Sequence, residues 1–308
     1  MSQKIVFMGT PEFSVPTLKS LINSNHKVLA VYSQPATKAN RGQKIISSSI
    51  EIFAKKNSLN LRTPRVLDSD EEYNFLKKLQ PDIVIVIAYG KIIPKRFLNL
   101  AKHGFLNVHA SLLPKWRGAA PIQRSIMNLD NVTGISIMRI VKELDAGPVM
   151  HQEKIQINEN VDSLTLSKIL SQLGAKSILD AINKIEKGKE KFQEQNHSQA
   201  TYAKKILKTE GKINWKESAK KVIAKINALH PNPGCWFYLD NARIKILKAK
   251  EIKMKGNPGE VINDKLTIAC LENAIQVLEV KKEGKNSMKV SDFLIGNKIE
   301  AGTKLQDA

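Results

Sequence analysis

Asp82-Ile-Val-Ile-Val-Ile-Ala88 is an unbroken run of large apolar residues between a charged start and a small-residue end. Strands covered on only one face alternate apolar with polar. A continuous β-branched run belongs where both faces are covered, so it predicts a central strand of a parallel sheet. Similar signals lie on both sides. Lys4 to Met8 and Lys27 to Tyr32 read as strands, and Glu12 to Asn23, about 48–57 and about 69–79 read as helices. Downstream come a strand at Phe105–His109, a helix near 119–128, strands near 133–141 and 148–157, and a long helix from Asp162 to Gly188. This strand–helix alternation implies a doubly wound α/β domain over 1–189.

Residues 190–209 are rich in Gln, Asn, Lys and Ser and read as a polar linker. After it, Asn214 to His230 reads as one helix. Short β-type runs follow at Cys235–Leu239, Ile244–Ala249, Gly259–Asn263, Leu266–Ala269 and Ala274–Val280. Several short strands broken by turns suggest a small β-barrel domain over 210–308.

The chain has 308 residues, enough for about two domains. Its formal net charge is +20, from 49 Lys plus Arg against 29 Asp plus Glu. Residues 201–255 hold fourteen of those cations and four acids, so half the excess sits in 55 residues. Such an excess favours a polyanionic partner such as nucleic acid, although a lysine-rich proteome would also produce it. The two cysteines, Cys235 and Cys270, have no metal-ligand or redox spacing, and the six histidines are scattered, so no metal is expected. A reducing cytoplasm is the simplest setting. Ile5-Val-Phe-Met8 is too short for a signal peptide, and no run of about 18 apolar residues points to a membrane.

The first βα turn, Gly9-Thr10-Pro11, lacks the glycine-rich dinucleotide fingerprint, and no phosphate-cradling Gly-x-x-x-x-Gly-Lys-Ser/Thr loop occurs. Nicotinamide dehydrogenase and P-loop chemistry are therefore disfavoured. Chemistry concentrates instead in Asn107-Val-His109-Ala-Ser111-Leu-Leu-Pro114-Lys-Trp-Arg117-Gly118. Side chains alternate along a strand, so Asn107 and His109 share a face and Val108 points away. An amide beside an imidazole can handle a carbonyl and its protons, but alone the pair is more often structural. The alternating strand near 133–141 runs into the turn Leu144-Asp145-Ala-Gly147-Pro148. Its carboxylate, placed near the imidazole, would fix the tautomer. Ligands bind at the carboxyl ends of strands in open sheets, which also brings Ala88-Tyr89-Gly90 to the same crevice.

With Trp116-Arg-Gly-Ala-Ala-Pro-Ile-Gln123, Gly9-Thr-Pro-Glu-Phe13 and Thr201-Tyr-Ala-Lys-Lys205, these motifs resemble the folate-dependent formyltransferase family along nearly the whole chain. The resemblance implies a Rossmann-like N-terminal formyltransferase domain with a smaller OB-like β-barrel C-terminal domain. It also implies formyl transfer from 10-formyltetrahydrofolate to an amine through a tetrahedral intermediate, with methionyl initiator tRNA as acceptor and no protein partner. Asn107, His109 and Asp145 would be catalytic. Asn107 would donate to the formyl oxygen, His109 would take a proton or stabilise the oxyanion, and Asp145 would orient His109 and help the proton reach the folate nitrogen. Ser111, Leu112, Leu113 and Pro114 would pack on the folate, and Ala88, Tyr89 and Gly90 would offer backbone groups to it.

In the resembling family, the loop matching 34–44 enters the tRNA acceptor end, which points to Arg41 and Lys44. Here Ala36 and Lys38-Ala39-Asn40 depart from the usual acidic and Pro/Gly-rich approach, and Ala110 stands where glycine is common. Lys204, Lys205, Lys208, Lys245, Lys248 and Lys250 could track phosphates, though surface lysines are usually just solvated. Two other readings stay open: formylation of a small amine such as a sugar nucleotide or a glycinamide, and a non-catalytic RNA-binding protein on the same scaffold.

Overall fold

The structure is a computed structural model that describes residues 2–39, 44–239 and 242–305. In chain order the strands and helices are β1 Lys4–Gly9, α1 Val15–Ile22, β2 Lys27–Tyr32, β3 Thr37–Ala39, β4 Lys44–Ile46, α2 Ser49–Lys56, β5 Leu61–Arg62, α3 Asp70–Leu79, β6 Ile83–Ile87, β7 Phe105–His109, β8 Arg117–Gly118, α4 Pro121–Met127, β9 Val132–Arg139, β10 Val149–Gln156 and α5 Ser163–Glu186. They continue with β11 Tyr202–Ala203, α6 Ala219–Leu229, β12 Cys235–Leu239, β13 Ala242–Ile252, β14 Val261–Asn263, β15 Thr267–Ala269, β16 Ala274–Lys282, β17 Ser287–Lys289 and α7 Val290–Ile295. The chain forms two units. One comprises Met1–Gly118, Thr133–Ile155 and Ser167–Tyr202; the other comprises Ala119–Val132, Gln156–Leu166 and Ala203–Ala308.

The first unit is built on a seven-stranded sheet ordered β10-β9-β7-β6-β1-β2-β5. All five residues of β6 are buried, and its neighbours β1 and β7 run parallel to it, as a continuous β-branched strand requires. β9 runs antiparallel to β7, so the sheet turns mixed beside the site. Gly174 of α5 lies where an added Cβ would meet Val108 Cγ1 at 2.9 Å. The helix thus lies close against the β7 face opposite Asn107 and His109. Helix starts follow capping chemistry: Ser48 Oγ accepts from Glu51 N at 3.0 Å and Ser69 Oγ from Glu72 N at 3.3 Å. The helix expected over 12–23 is split into a 3₁₀ turn at Glu12–Ser14 and α1, whose second residue is Pro16. A proline there costs no helical hydrogen bond and fixes the start of the α-helix. The loop expected over 34–44 runs into a short antiparallel pair, β3–β4; Arg41 lies outside the described residues.

The second unit carries a curled antiparallel sheet ordered β12-β13-β16-β15-β14, with β17 on β16. Register shifts around Lys248 interrupt the β13–β16 pairing, and bulges of this kind bend a strand and let a sheet curl. One face buries Trp215, Phe237, Ile244, Val277 and Phe293 together with Val222 and Ile226 of α6. The helix expected from Asn214 begins only at Ala219. Asn214 Oδ1 accepts from Lys216 N in a local turn, Ser218 Oγ caps α6, and Trp215 is fully buried. Cys235 and Cys270 are buried free thiols, both pushed up to about 12 by burial, and so are inert at neutral pH. No described helix is long and apolar enough to cross a membrane.

Candidate active site

Asn107 and His109 stand at the carboxyl end of β7 with their side chains on one face, paired across β9 with Met138 and Ser136. Asp145 follows β9 in the loop before β10 and adopts a left-handed backbone, φ +48°. The three side chains converge. Asn107 Nδ2 donates to Asp145 Oδ1 at 3.4 Å, and His109 Nδ1 lies 3.6 Å from Asp145 Oδ2. Asp145 Oδ2 also accepts from the backbone N–H of Gly118 at 2.8 Å. His109 is buried, and its Nε2 is 2.9 Å from the carbonyl oxygen of Trp116. The Trp116 carbonyl can only accept, so Nε2 is the ring nitrogen that donates to it, while Nδ1 faces the Asp145 carboxylate. Trp116 itself is left-handed, φ +61°, an uncommon state for a bulky side chain.

The turn after β7 is held from inside. Ser111 is buried and its Oγ donates to Lys115 O at 2.6 Å. Ser136 Oγ donates to Ser111 O and accepts from Leu113 N, while Gln152 Nε2 donates to Leu113 O at 2.8 Å. The Ser111 hydroxyl is thus spent on the turn and Leu113 is buried. Leu112 and Pro114 are the half-buried members with apolar surface left for a ligand. After β6, Ala88 and Gly90 are exposed with left-handed backbones, whereas the Tyr89 ring is buried in the core. The Tyr89 carbonyl already accepts from Thr10 Oγ1 at 2.8 Å and Gln34 Nε2 at 3.0 Å. Ala88 and Gly90 are therefore better placed than Tyr89 to meet a ligand.

Residues 3–182 match the Formyl transferase family model, and 205–298 match the model Formyl transferase, C-terminal domain. The chain belongs to the formyl transferase family. Within it, the chain is 48% identical to a methionyl-tRNA formyltransferase of Pelagibacter ubique (strain HTCC1062), over 99% of both chains. It is 40% identical to one of Bradyrhizobium diazoefficiens, again over 99% of both. Among solved structures, HypX from Aquifex aeolicus in complex with tetrahydrofolic acid superposes with a TM-score of 0.68 at 16% identity, covering 98% of this chain and 49% of that one. The chain therefore spans about half the length of that protein. The N-formyltransferase from Helicobacter canadensis in complex with folinic acid and dTDP-3-aminofucose superposes at 0.67 and 19% identity, covering 92% and 100%. At these identities the two structures establish a shared formyltransferase fold.

In this family member Lys204, Lys205, Lys208, Lys248 and Lys250 are exposed, and only the backbone of Lys44 is described. Lys245 differs from them. Its Nζ donates to Pro233 O at 2.6 Å, and burial, aided by Lys281 and Arg243, lowers its pKa. It holds a turn before it can hold a phosphate. Among the described residues no group of three or more metal-ligating side chains is gathered. A cavity of about 550 Å³ opens elsewhere, at Leu61–Val66, Ser69, Glu71 and Glu72. There Arg62 is occupied by Glu71 and Glu72, both at 2.6 Å, so shape without free chemistry does not make it the reaction site. Sequence reasoning missed Arg117, Gln195 and Thr201, whose side chains or backbones bond to the site loops. Arg117 stood inside a quoted motif. Gln195 stood in a stretch whose polarity signals solvent.

Proposed function

We propose that the chain transfers the formyl group of 10-formyltetrahydrofolate to the amino group of methionyl initiator tRNA, for translation initiation in the cytoplasm. The convergence of Asn107, His109 and Asp145 carries the transfer chemistry. The acceptor rests on relatives named methionyl-tRNA formyltransferase that align over the full length. The folate supplies the formyl carbon. Leu112 and Pro114 after β7 offer apolar surface, and Ala88 and Gly90 after β6 offer exposed backbone, groups suited to a flat heterocycle. Ser111, Leu113 and Tyr89 lie buried beside them in the chain. Asn107 donates to the formyl oxygen as negative charge develops there. The neutral amine attacks the formyl carbon, and the bond from that carbon to the folate N10 breaks as the oxyanion collapses. The proton the amine loses passes to N10, with His109 moving it and Asp145 holding the ring in place. The division of labour we propose is catalysis over 1–189, a connector over 190–209 whose Lys204, Lys205 and Lys208 also face the tRNA, and tRNA contact over 210–308, with Arg41 and Lys44 reaching the acceptor end.

The test offers a labelled formyl donor with methionyl initiator tRNA, a sugar-nucleotide amine or glycinamide ribonucleotide. Label on the tRNA supports the reading. Label confined to a small amine, or no transfer at all, overturns it. The five exposed lysines named above predict a steep salt dependence. If each meets one phosphate, the logarithm of the tRNA association constant should fall against log salt with a slope of about −4. A flat response between low and moderate salt would remove those lysines from the tRNA surface.

A further inference from the structure

We propose that the segment Gln195 to Thr201 is a positioning strap that sets the geometry of the His109–Asp145 pair from both sides. The inference rests on the functional reading above. The segment falls between the two stretches matched by the family models, 3–182 and 205–298, and its composition reads as a linker. The structure makes it part of the first unit and ties it to the site loops.

Gln195 works on the acid. It is buried, and its Nε2 donates to Asp145 O at 2.9 Å and to Gly147 O at 2.7 Å. One amide group thus clamps two carbonyls on either side of Ala146. That clamp opposes the tendency of Asp145 to leave its left-handed backbone, a state unfavourable for most side chains. The orientation of the amide is fixed by chemistry. Gln195 Oε1 accepts from Arg117 Nε at 3.1 Å and Nη2 at 2.7 Å, and a guanidinium can only donate. The buried Arg117 is itself held by His197, whose Nδ1 accepts from Nη1 and Nη2 at 3.2 Å.

Thr201 works on the base. Its Oγ1 accepts from Trp116 N at 2.9 Å, its carbonyl accepts from Arg117 N at 2.8 Å, and its N–H donates to Pro114 O at 3.3 Å. These bonds frame Trp116 in its left-handed conformation and so place the carbonyl that His109 Nε2 meets. Gln195 and Thr201 touch no reacting atom. They act by fixing what Asp145 and His109 can reach.

The experiment compares Gln195→Met, Thr201→Val and Thr201→Ser in the full chain. Two readouts are used: kcat and KM for both substrates, and the His109 ring-nitrogen resonances followed against pH. Gln195→Met and Thr201→Val should lower kcat roughly 10- to 100-fold with KM changed far less, since small misplacements of catalytic groups cost about that much. Both should displace the His109 titration. Thr201→Ser, which keeps the hydroxyl, should restore kcat to near the parent value. Unchanged kcat in Gln195→Met and Thr201→Val overturns the proposal, and so does a lower kcat with unaltered His109 resonances. If Gln195→Met fails to fold, the Thr201 pair decides. If the parent protein does not formylate methionyl-tRNA, the functional reading fails, while the His109 resonances in parent and variants still judge the strap.

Discussion

His109→Ala and Asn107→Ala are each expected to lower kcat by roughly 10² or more while changing the KM for either substrate far less. Asn107 presents its amide on the same β7 face as His109, and both side chains are tied to one carboxylate, at 3.4 and 3.6 Å. A donor aimed at charge that appears only during reaction stabilises the transition state by about 3–4 kcal/mol and the bound substrate by much less. Loss of either side chain should therefore be read in kcat from single-turnover transfer to methionyl-tRNA. His109 and Asp145 act as one unit, so His109→Ala combined with Asp145→Asn should cost little more than His109→Ala alone. Near-normal turnover in both alanine variants would overturn the catalytic assignment. Fully additive losses in the double variant would separate Asp145 from His109.

The legibility of the site follows the range of the interactions that make it. β6 could be read because every one of its five residues carries the same message, burial on both faces. The Asn107–His109 relation could be read because strand periodicity is local. The approach of Asp145 depends on β9 returning antiparallel to β7, and no local spacing encodes that; the family resemblance supplied it. Gln195 was illegible for a related reason. A glutamine is polar in any sequence window, and only the presence of two carbonyls and a buried arginine makes it an interior residue. Lys245 shows the same limit: its charge was visible, and its engagement with Pro233 was not. The late start of α6 turned on one side chain. Trp215 fits a helical pattern by hydrophobicity, yet it enters the core from a turn, and Ser218 then opens the helix.

Gly147→Ala tests whether the placement of the Asp145 loop, apart from any change in a catalytic side chain, governs the rate. A Cβ at Gly147 would run into the carbonyl oxygen of Arg139 and lie 3.2 Å from Val141 Cγ1. The obstructing atom is backbone at the end of β9, where Arg139 N donates to Pro148 O at 3.0 Å, so it cannot swing aside as a side-chain tip could. The loop must move instead. Asp145 sits two residues back, and the Gly147 carbonyl is one of the two that Gln195 holds. Overpacking of this kind costs about 1–3 kcal/mol of stability, and a displacement near 1 Å at the carboxylate costs about 10² in rate. The expected result is a protein that still unfolds cooperatively, at lower temperature, and turns over roughly 10²-fold more slowly. Gly296→Ala is the control, because nothing lies within 4 Å of its added methyl and the backbone there, φ −99°, is open to any residue. It should leave both quantities near the parent values. Parent-like turnover in Gly147→Ala would mean that the carboxylate reaches His109 from a displaced loop, and that the distances to Asp145 do not control the chemistry.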